Sequence, residues 1–320
     1  MNLHGQSLLV TGMDKHLEKI YFAPMEGITT KIYRAVHKEI YSEPDVYFSP
    51  FIAVSGAHTI KKRDINGVVP FEDRLVPQIM TKDAKDFVWA ARMLSDEGYS
   101  EVNLNAGCPS STVVTKGKGA GLLEDPRNLR RMLEGIFEAN DIPNISIKIR
   151  AGFYGTDEAE DLAKIISDYP FCEVIIHPRA REDFYAGKPD MEAFDCIAGA
   201  IKCPVCYNGD LKSADDVHDL LEKRPWISRV MIGRGLIADP GLGCEFRSGQ
   251  KDDKLSVFLA RLKEEYVKVL SGERDVLFKL KEIWGYIGQD IVGHEKELKA
   301  IKKSVTLSQY DAAVRSIMRG

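Results

Sequence analysis

The chain has 320 residues, 29% of them charged, and a formal net charge of −4. That length allows one large domain, or a domain of about 240 residues with a smaller companion, and the composition is that of an ordinary soluble globular protein. No apolar run reaches the length of a bilayer span, residues 1–19 lack the plan of a secretory signal, and the six cysteines read as reduced thiols, so a cytoplasmic protein without a disulfide framework is expected. Met1 and Met13 are alternative starts.

The charge is uneven. Residues 249–320 carry 14 Lys and Arg against 11 Asp and Glu, whereas the preceding 248 carry 30 against 37. A basic tail on an acidic body hints at an anionic partner for the tail, although a solvated helical face gives the same count.

In chain order, short β-branched or apolar runs predict strands over Tyr21–Met25, Val46–Ser49, Val76–Met80, Glu101–Asn105, Ile145–Ile149, Val174–His177, Val205–Asn208 and Arg229–Ile232. Between them, helical periodicity predicts helices over Thr30–Tyr41, Asp83–Glu97, Arg127–Asn140, Asp157–Asp168, Met191–Ile201 and Ser213–Glu222, with a last one in Leu236–Phe246. Strand–helix alternation implies parallel strands with helical crossovers, and eight repeats fit a closed (β/α)8 TIM barrel. An open doubly wound sheet is the competitor, but its Gly-rich fingerprint after the first strand is missing. After a polar break at Gly249–Asp253 the pattern becomes helix only: Leu255–Leu270, Asp275–Gln289, Glu295–Lys302 and Ser308–Met318. The expected domains are an N-terminal extension (1–19), a barrel (20–248) and a small C-terminal helical bundle (249–320).

In a TIM barrel, chemistry gathers at the C-terminal ends of the strands. Those ends read Pro24-Met25-Glu26, Gln78, Asn105, Lys148 with Arg150 after it, His177, Asn208-Gly209-Asp210 and Gly233-Arg234-Gly235. Asn105 leads into Gly107-Cys108-Pro109, and a cysteine in a polar loop just past a strand is not placed for packing. Gly209, Gly233 and Gly235 let backbone N–H groups approach an anion, and Arg234 adds charge, which suits a phosphate after the last two strands. Lys148, among apolar strand residues, suits an anion in the mouth, and the Gln78 amide can both donate and accept. His177 is read as a second donor, a substrate contact or a structural histidine. Cys203-x-x-Cys206 lacks a second pair for zinc, the seven histidines show no metal spacing, and no metal is expected. Phe278, Trp284, Tyr286 and Tyr310 are read as bundle core.

Together these residues resemble the tRNA-dihydrouridine synthase family. The resemblance runs through Ala23–Thr29, the Gln78 segment, Val102–Pro109, Gly119–Leu123, Ile147–Gly152, His177–Arg181, Asn208–Asp210 and Val230–Gly235. Two positions depart from many members: Thr30, where Asp is common, and Ala180, where Thr is common. The resemblance implies an FMN flavoprotein that reduces a uridine of tRNA to 5,6-dihydrouridine, with NADPH or NADH as transient electron donor. It implies Cys108 as general acid, and Pro24, Met25, Glu26, Gln78, Lys148, His177, Asn208, Gly209, Asp210, Gly233 and Arg234 around FMN. Asn105 and Tyr185 then become base or RNA contacts, Lys116, Lys118, Arg179 and Arg181 phosphate partners, and the tail an RNA-recognition unit. No obligate protein partner is evident. The alternatives are another FMN-dependent TIM-barrel oxidoreductase acting on a small pyrimidine-like substrate, and a tRNA-binding protein that holds flavin without turnover.

Overall fold

The structure, a computed structural model, describes residues 17–56 and 58–319. Most of the expected N-terminal extension, residues 1–16, lies outside them. The strands are β1 (Lys19–Phe22), β2 (Val46–Phe48), β3 (Ile52–Ser55), β4 (Thr59–Ile60), β5 (Leu75–Val76), β6 (Gln78–Met80), β7 (Glu101–Ala106), β8 (Asn144–Gly152), β9 (Glu173–Ala180), β10 (Val205–Tyr207) and β11 (Arg229–Ile232). Their order in the sheet is β4-β3-β6-β7-β8-β9-β10-β11-β1-β2-β5. All pairings are parallel except the β3–β4 hairpin.

The sheet closes through one proline. β5 pairs with β2, β6 pairs with β7, and only Pro77 separates β5 from β6. Proline has no N–H to give to a ladder, so the strand is interrupted there. Its carbonyl still accepts Asn103 N at 2.9 Å, and Gln78 N turns to the Ser49 hydroxyl at 3.0 Å. The expected strand Val76–Met80 is therefore one barrel strand in two pieces, and the eight-stranded barrel is present. The β3–β4 hairpin was not expected: β3 continues the second barrel strand past Pro50 and pairs with β6.

Helix boundaries follow capping chemistry. Thr30, Asp83, Asp125, Asp190 and Ser213 stand as N-caps and accept backbone N–H groups of the first turns. This is why helices expected from Thr30, Asp83 and Ser213 begin one residue later. Leu236–Phe246 is two short helices, Arg234–Ala238 and Leu242–Ser248. The second ends on Gly249 at φ 67°, a left-handed position that glycine takes without a Cβ clash.

Four helices follow: Leu255–Val269, Glu273–Ile287, Glu295–Lys303 and Leu307–Ile317. They share one continuous apolar core with the outer face of the barrel. Phe258 packs edge-on to Tyr33 at 5.3 Å between ring centres, and Lys279 Nζ donates to Gly27 O at 2.8 Å. Trp284 and Tyr310 are buried and hydrogen-bonded to each other, as expected of bundle core. Phe278 is not core: it is 65% exposed. No helix among the described residues is long and apolar enough to cross a membrane.

Candidate active site

A cavity of about 340 Å³ opens at the C-terminal ends of the barrel strands. Thirteen of the residues singled out above line it: Pro24, Met25, Glu26, Gln78, Asn105, Cys108, Lys148, His177, Tyr185, Asn208, Gly209, Gly233 and Arg234. Ala23, Pro50, Phe51, Gly107, Pro109, Arg150 and Tyr286 complete the wall. The volume and the mixture of apolar walls with a few convergent polar groups suit a small-molecule site.

The thiol is placed by local chemistry. Asn105 Oδ1 accepts Cys108 N at 2.7 Å and Gly107 N at 3.2 Å, which folds the chain back over the strand end. Arg150 ties the same loop down through Gly107 O at 3.0 Å and reaches Ala180 O at 2.8 Å. Gly119, at φ 59°, presses on the back of the loop, where a Cβ would stand 2.7 Å from Cys108 O. Burial raises the Cys108 thiol, while a hydrogen bond involving the Ser110 backbone and the charges of Arg150 and Lys148 pull the other way. The net rise keeps the thiol protonated at neutral pH.

Lys148 and His177 are shifted the same way by one environment. Burial pushes the Lys148 amine down to about 7, with the Arg150 charge adding to the fall. It has no hydrogen bond or ion pair among the described residues. Burial also holds His177 well below its usual range, reinforced by Lys148, Arg150 and Arg179, so it is a neutral imidazole. Arg179 Nη1 lies 3.4 Å from its Nε2. Desolvation raises the Glu26 carboxyl, with Arg63 opposing at 3.2 Å.

Gln78 sits in an amide network: Nε2 donates to Asn103 Oδ1 at 2.8 Å, and Asn105 Nδ2 donates to Gln78 Oε1 at 2.6 Å. Tyr185 is flanked by two guanidinium groups, Arg150 at 5.4 Å and Arg234 at 4.9 Å from its ring centre. Asn208 is held by Met231 O at 2.8 Å. Gly209 has no room for a side chain, since a Cβ would fall 1.9 Å from the Tyr207 hydroxyl.

Asp210, Arg179, Arg181, Lys116, Lys118 and Gly235, all expected at the site, do not line the cavity. Asp210 is held by Arg179 at 2.5 and 3.1 Å and by Arg234 at 2.7 Å. Burial raises its carboxyl, but these arginines outweigh that and hold it below the usual range. Its contact with the site is thus through Arg234. Arg179 was expected on a phosphate; its side chain is 1% exposed, spent on Asp210 and the carbonyls of Ala186 and Gly187. Arg181 packs on Phe153 and Phe184 and pairs with Glu182. Lys116 is exposed outside the cavity, and Lys118 donates to Val54 O at 2.6 Å.

Arg150, expected at the end of the fifth strand after Lys148, lies two positions from it and hence on the same face. Pro50, Phe51 and Tyr286 escaped the sequence reading. Tyr286 was read as bundle core; the helix Glu273–Ile287 brings it over the mouth instead, and no local signal announces that. Among the described residues no group of three or more His, Cys, Asp or Glu is arranged to hold a metal.

A closed parallel barrel with a thiol, an unpaired amine and a set of oriented amides at its C-terminal mouth defines a TIM-barrel enzyme site. The fold is similar to those of histamine dehydrogenase from Rhizobium sp. 4-9 (TM-score 0.56, 14% identity, covering 83% of this chain and 49% of that one) and 2-naphthoyl-CoA reductase (TM-score 0.55, 14% identity, 73% and 50%). The chain belongs to the dihydrouridine synthase family, whose model matches residues 21–307. A probable tRNA-dihydrouridine synthase of Staphylococcus epidermidis is 30% identical over 227 residues, 68% of each chain. One of Rhizobium leguminosarum bv. phaseoli is 32% identical over 164 residues, so the match spans about half of that relative, 51%.

Proposed function

We propose that this protein reduces a uridine of tRNA to 5,6-dihydrouridine, with FMN as its bound cofactor and NADPH or NADH as electron donor. The observation that carries the reading is the Cys108 thiol, held by Asn105 at the rim of a cavity that also contains the unpaired Lys148 amine.

The residues fit a flavin. Gly209 and Gly233 leave backbone exposed where a side chain would crowd: at Gly233 a Cβ would stand 3.3 Å from Ala23 Cβ and 3.4 Å from Met25 Sδ. With Arg234 they would hold the phosphate. Pro24, Met25 and Asn208 would flank the ring, and Gln78, His177 and Lys148 would meet its polar edges. Bound there, FMN supplies the hydride equivalent.

The protein's own contributions are positional and protonic. Cys108 holds a proton at neutral pH and offers it from the loop side of the cavity. Lys148 offers a cation to an anion brought beside it, and such an anion favours its charged form. Tyr185, clasped by Arg150 and Arg234, presents an aromatic face to a base. A uridine has to leave its stack to enter a cavity of about 340 Å³, so the RNA is held by shape and phosphate with the base splayed out. The excess of positive charge after residue 249 gives the helical segment a place in that contact. A tRNA substrate agrees with the cytoplasmic expectation.

The test is direct. Purified full-length protein is examined for bound flavin, then incubated with NADPH and unmodified tRNA, and dihydrouridine is mapped by mass spectrometry. NADPH oxidation without dihydrouridine in tRNA, together with reduction of free pyrimidines, would replace this reading with the small-substrate one.

A further inference from the structure

The helix Glu273–Ile287 belongs to the helical segment, yet one of its residues stands in the wall of the barrel's cavity. Its apolar face buries Val276, Leu277, Leu280, Ile283, Trp284 and Ile287. Lys279, Glu282 and Tyr286 follow one another at three- and four-residue steps, so they form one stripe beside that face. The stripe lies on the C-terminal rim of the barrel. Lys279 Nζ donates to Gly27 O at 2.8 Å and pairs with Glu282 at 3.3 Å. Gly27 directly follows the wall residues Met25 and Glu26, and Glu282 Oε1 stands 3.6 Å from the point that a Cβ on Gly27 would occupy. The same helix packs on the short helix Arg234–Ala238. Two turns after Lys279, about 10 Å along the axis, Tyr286 reaches the cavity.

Among the described residues, Tyr286 is the one lining residue that comes from beyond residue 249, and it shares the wall with Cys108, Tyr185 and Arg234. Trp284 and Tyr310 spend their polar atoms on each other, whereas the Tyr286 hydroxyl has no hydrogen-bond partner among the described residues. Burial raises its phenol, with Glu282 and Tyr185 adding to the rise and Arg234 opposing it, so the hydroxyl keeps its proton and can donate or accept. We propose that Tyr286 is a specificity-determining residue that the helical segment contributes to the barrel: its ring walls the cavity from the rim, and its free hydroxyl meets the polar edge of the pyrimidine base that enters beside Cys108.

The strand ends form the floor of the cavity, and a residue carried by a helix outside the barrel reaches it from the rim. A pyrimidine shows carbonyl and N–H groups along its edge, and a hydroxyl that both donates and accepts suits either. A bare aromatic ring would take any base, whereas a ring with a polar tip also selects its orientation. Lys279 sets where that tip falls, because it fixes the helix on Gly27 two turns earlier. The contact with the base rests on the proposed reduction of a tRNA uridine; the wall that Tyr286 forms does not.

Two measurements on the full-length protein test this. Labelling with N-ethylmaleimide, read peptide by peptide by mass spectrometry, reports access to the cavity without reference to activity. In Tyr286→Ala, Cys108 is expected to label about fivefold faster than in the parent, with Cys196 and Cys244 unchanged. Tyr286→Phe keeps the ring and is expected to label at the parent rate. Should Tyr286→Ala not fold, Tyr286→Leu removes the ring with less loss of volume and carries the same expectation. The second measurement is KM for unmodified tRNA: Tyr286→Phe is expected to raise it about fivefold, the scale of one lost hydrogen bond, with flavin reduction by NADPH within about twofold of the parent. Unchanged Cys108 labelling in the folded variant without the ring overturns the proposal, as does an unchanged KM in Tyr286→Phe. So does faster labelling of all the cysteines together, which marks Tyr286 as support for the bundle alone. A parent protein that makes no dihydrouridine would strike the proposed function and leave the labelling result standing.

Discussion

On one side of the lumen, β1, β2, β5, β10 and β11 turn inward Tyr21, Phe48, Val76, Cys206 and Met231, with Ala23 just past β1 and Ile175 from β9 joining them. On the other side, β6, β7, β8 and β9 turn inward Gln78, Asn103, Asn105, Ser146, Lys148 and His177. Both sides are parallel strands covered outside by helices, so both read as nearly continuous apolar runs in sequence. The difference lies in the inward positions alone. The apolar side fills space and adds cohesion; the polar side spends its inward positions on hydrogen bonds that orient a site. β9 is the seam, with Ile175 between Glu173 and His177 on one face.

Four substitutions break or sharpen that contrast. The largest effect is expected at the polar rim. Cys108→Ala should slow transfer to tRNA by about 10²-fold or more, the scale of a lost general acid, while leaving stability and flavin reduction intact. Single-turnover mixing of reduced protein with tRNA measures it, and an unchanged rate would remove Cys108 from the role.

Next comes Lys148, whose amine sits at about 7 in the folded protein against 10.5 for the free side chain. As pH rises, the folded form loses this proton first. Between those two values the unfolded chain holds one more proton, so the folded state gains stability with pH at about 1.4 kcal/mol per unit. Below the lower value this group contributes no slope. Lys148→Met should therefore flatten the curve of flavin-free protein by on the order of 5 kcal/mol across the window. Denaturant unfolding at several pH values reads this, and parallel curves would mean that the amine is solvated rather than buried.

On the apolar side the effect should be on stability alone. Met231→Ala, at a fully buried position, is expected to cost about 2–3 kcal/mol through lost burial and a cavity, with the Lys148 slope retained. Loss of that slope would show that the two sides are not independent.

The smallest effect is at Arg234. Asp210 keeps Arg179 when Arg234 is removed, so the fold of Arg234→Ala should be unchanged within about 1 kcal/mol. FMN affinity should fall about tenfold and riboflavin affinity should not, because only FMN carries the phosphate. Equal losses for both ligands would place Arg234 at the ring instead.

The barrel and the four tail helices were legible because their signals are local. Period-2 and period-3.6 patterns mark the elements, and Thr30, Asp83 and Ser213 mark where helices start. Twelve of the thirteen wall residues stand at or just past strand ends, and in parallel strands the residue at the C-terminal end has one fate, which is the mouth; Tyr185, in the loop after β9, came from the family resemblance instead. The β3–β4 hairpin escaped because Pro50 and a run of only four residues hide a continuing strand.

What the sequence by itself determined, then, is the order of elements, the mouth and the residue types delivered to it. What only the tertiary structure decided is how those residues spend their groups. Arg179 and Arg181 sit in a motif that looks exposed and basic, yet one is buried on Asp210 and the other is stacked on two phenylalanines. Tyr286 reaches the cavity from a helix that begins at Glu273, about 40 residues after the last strand ends at Ile232. The Asn105–Gln78–Asn103 amide network likewise exists only once β6 and β7 lie in register. Hydrogen bonds and burial are pairwise and non-local, so a pattern along one strand can announce a polar residue but not its partner.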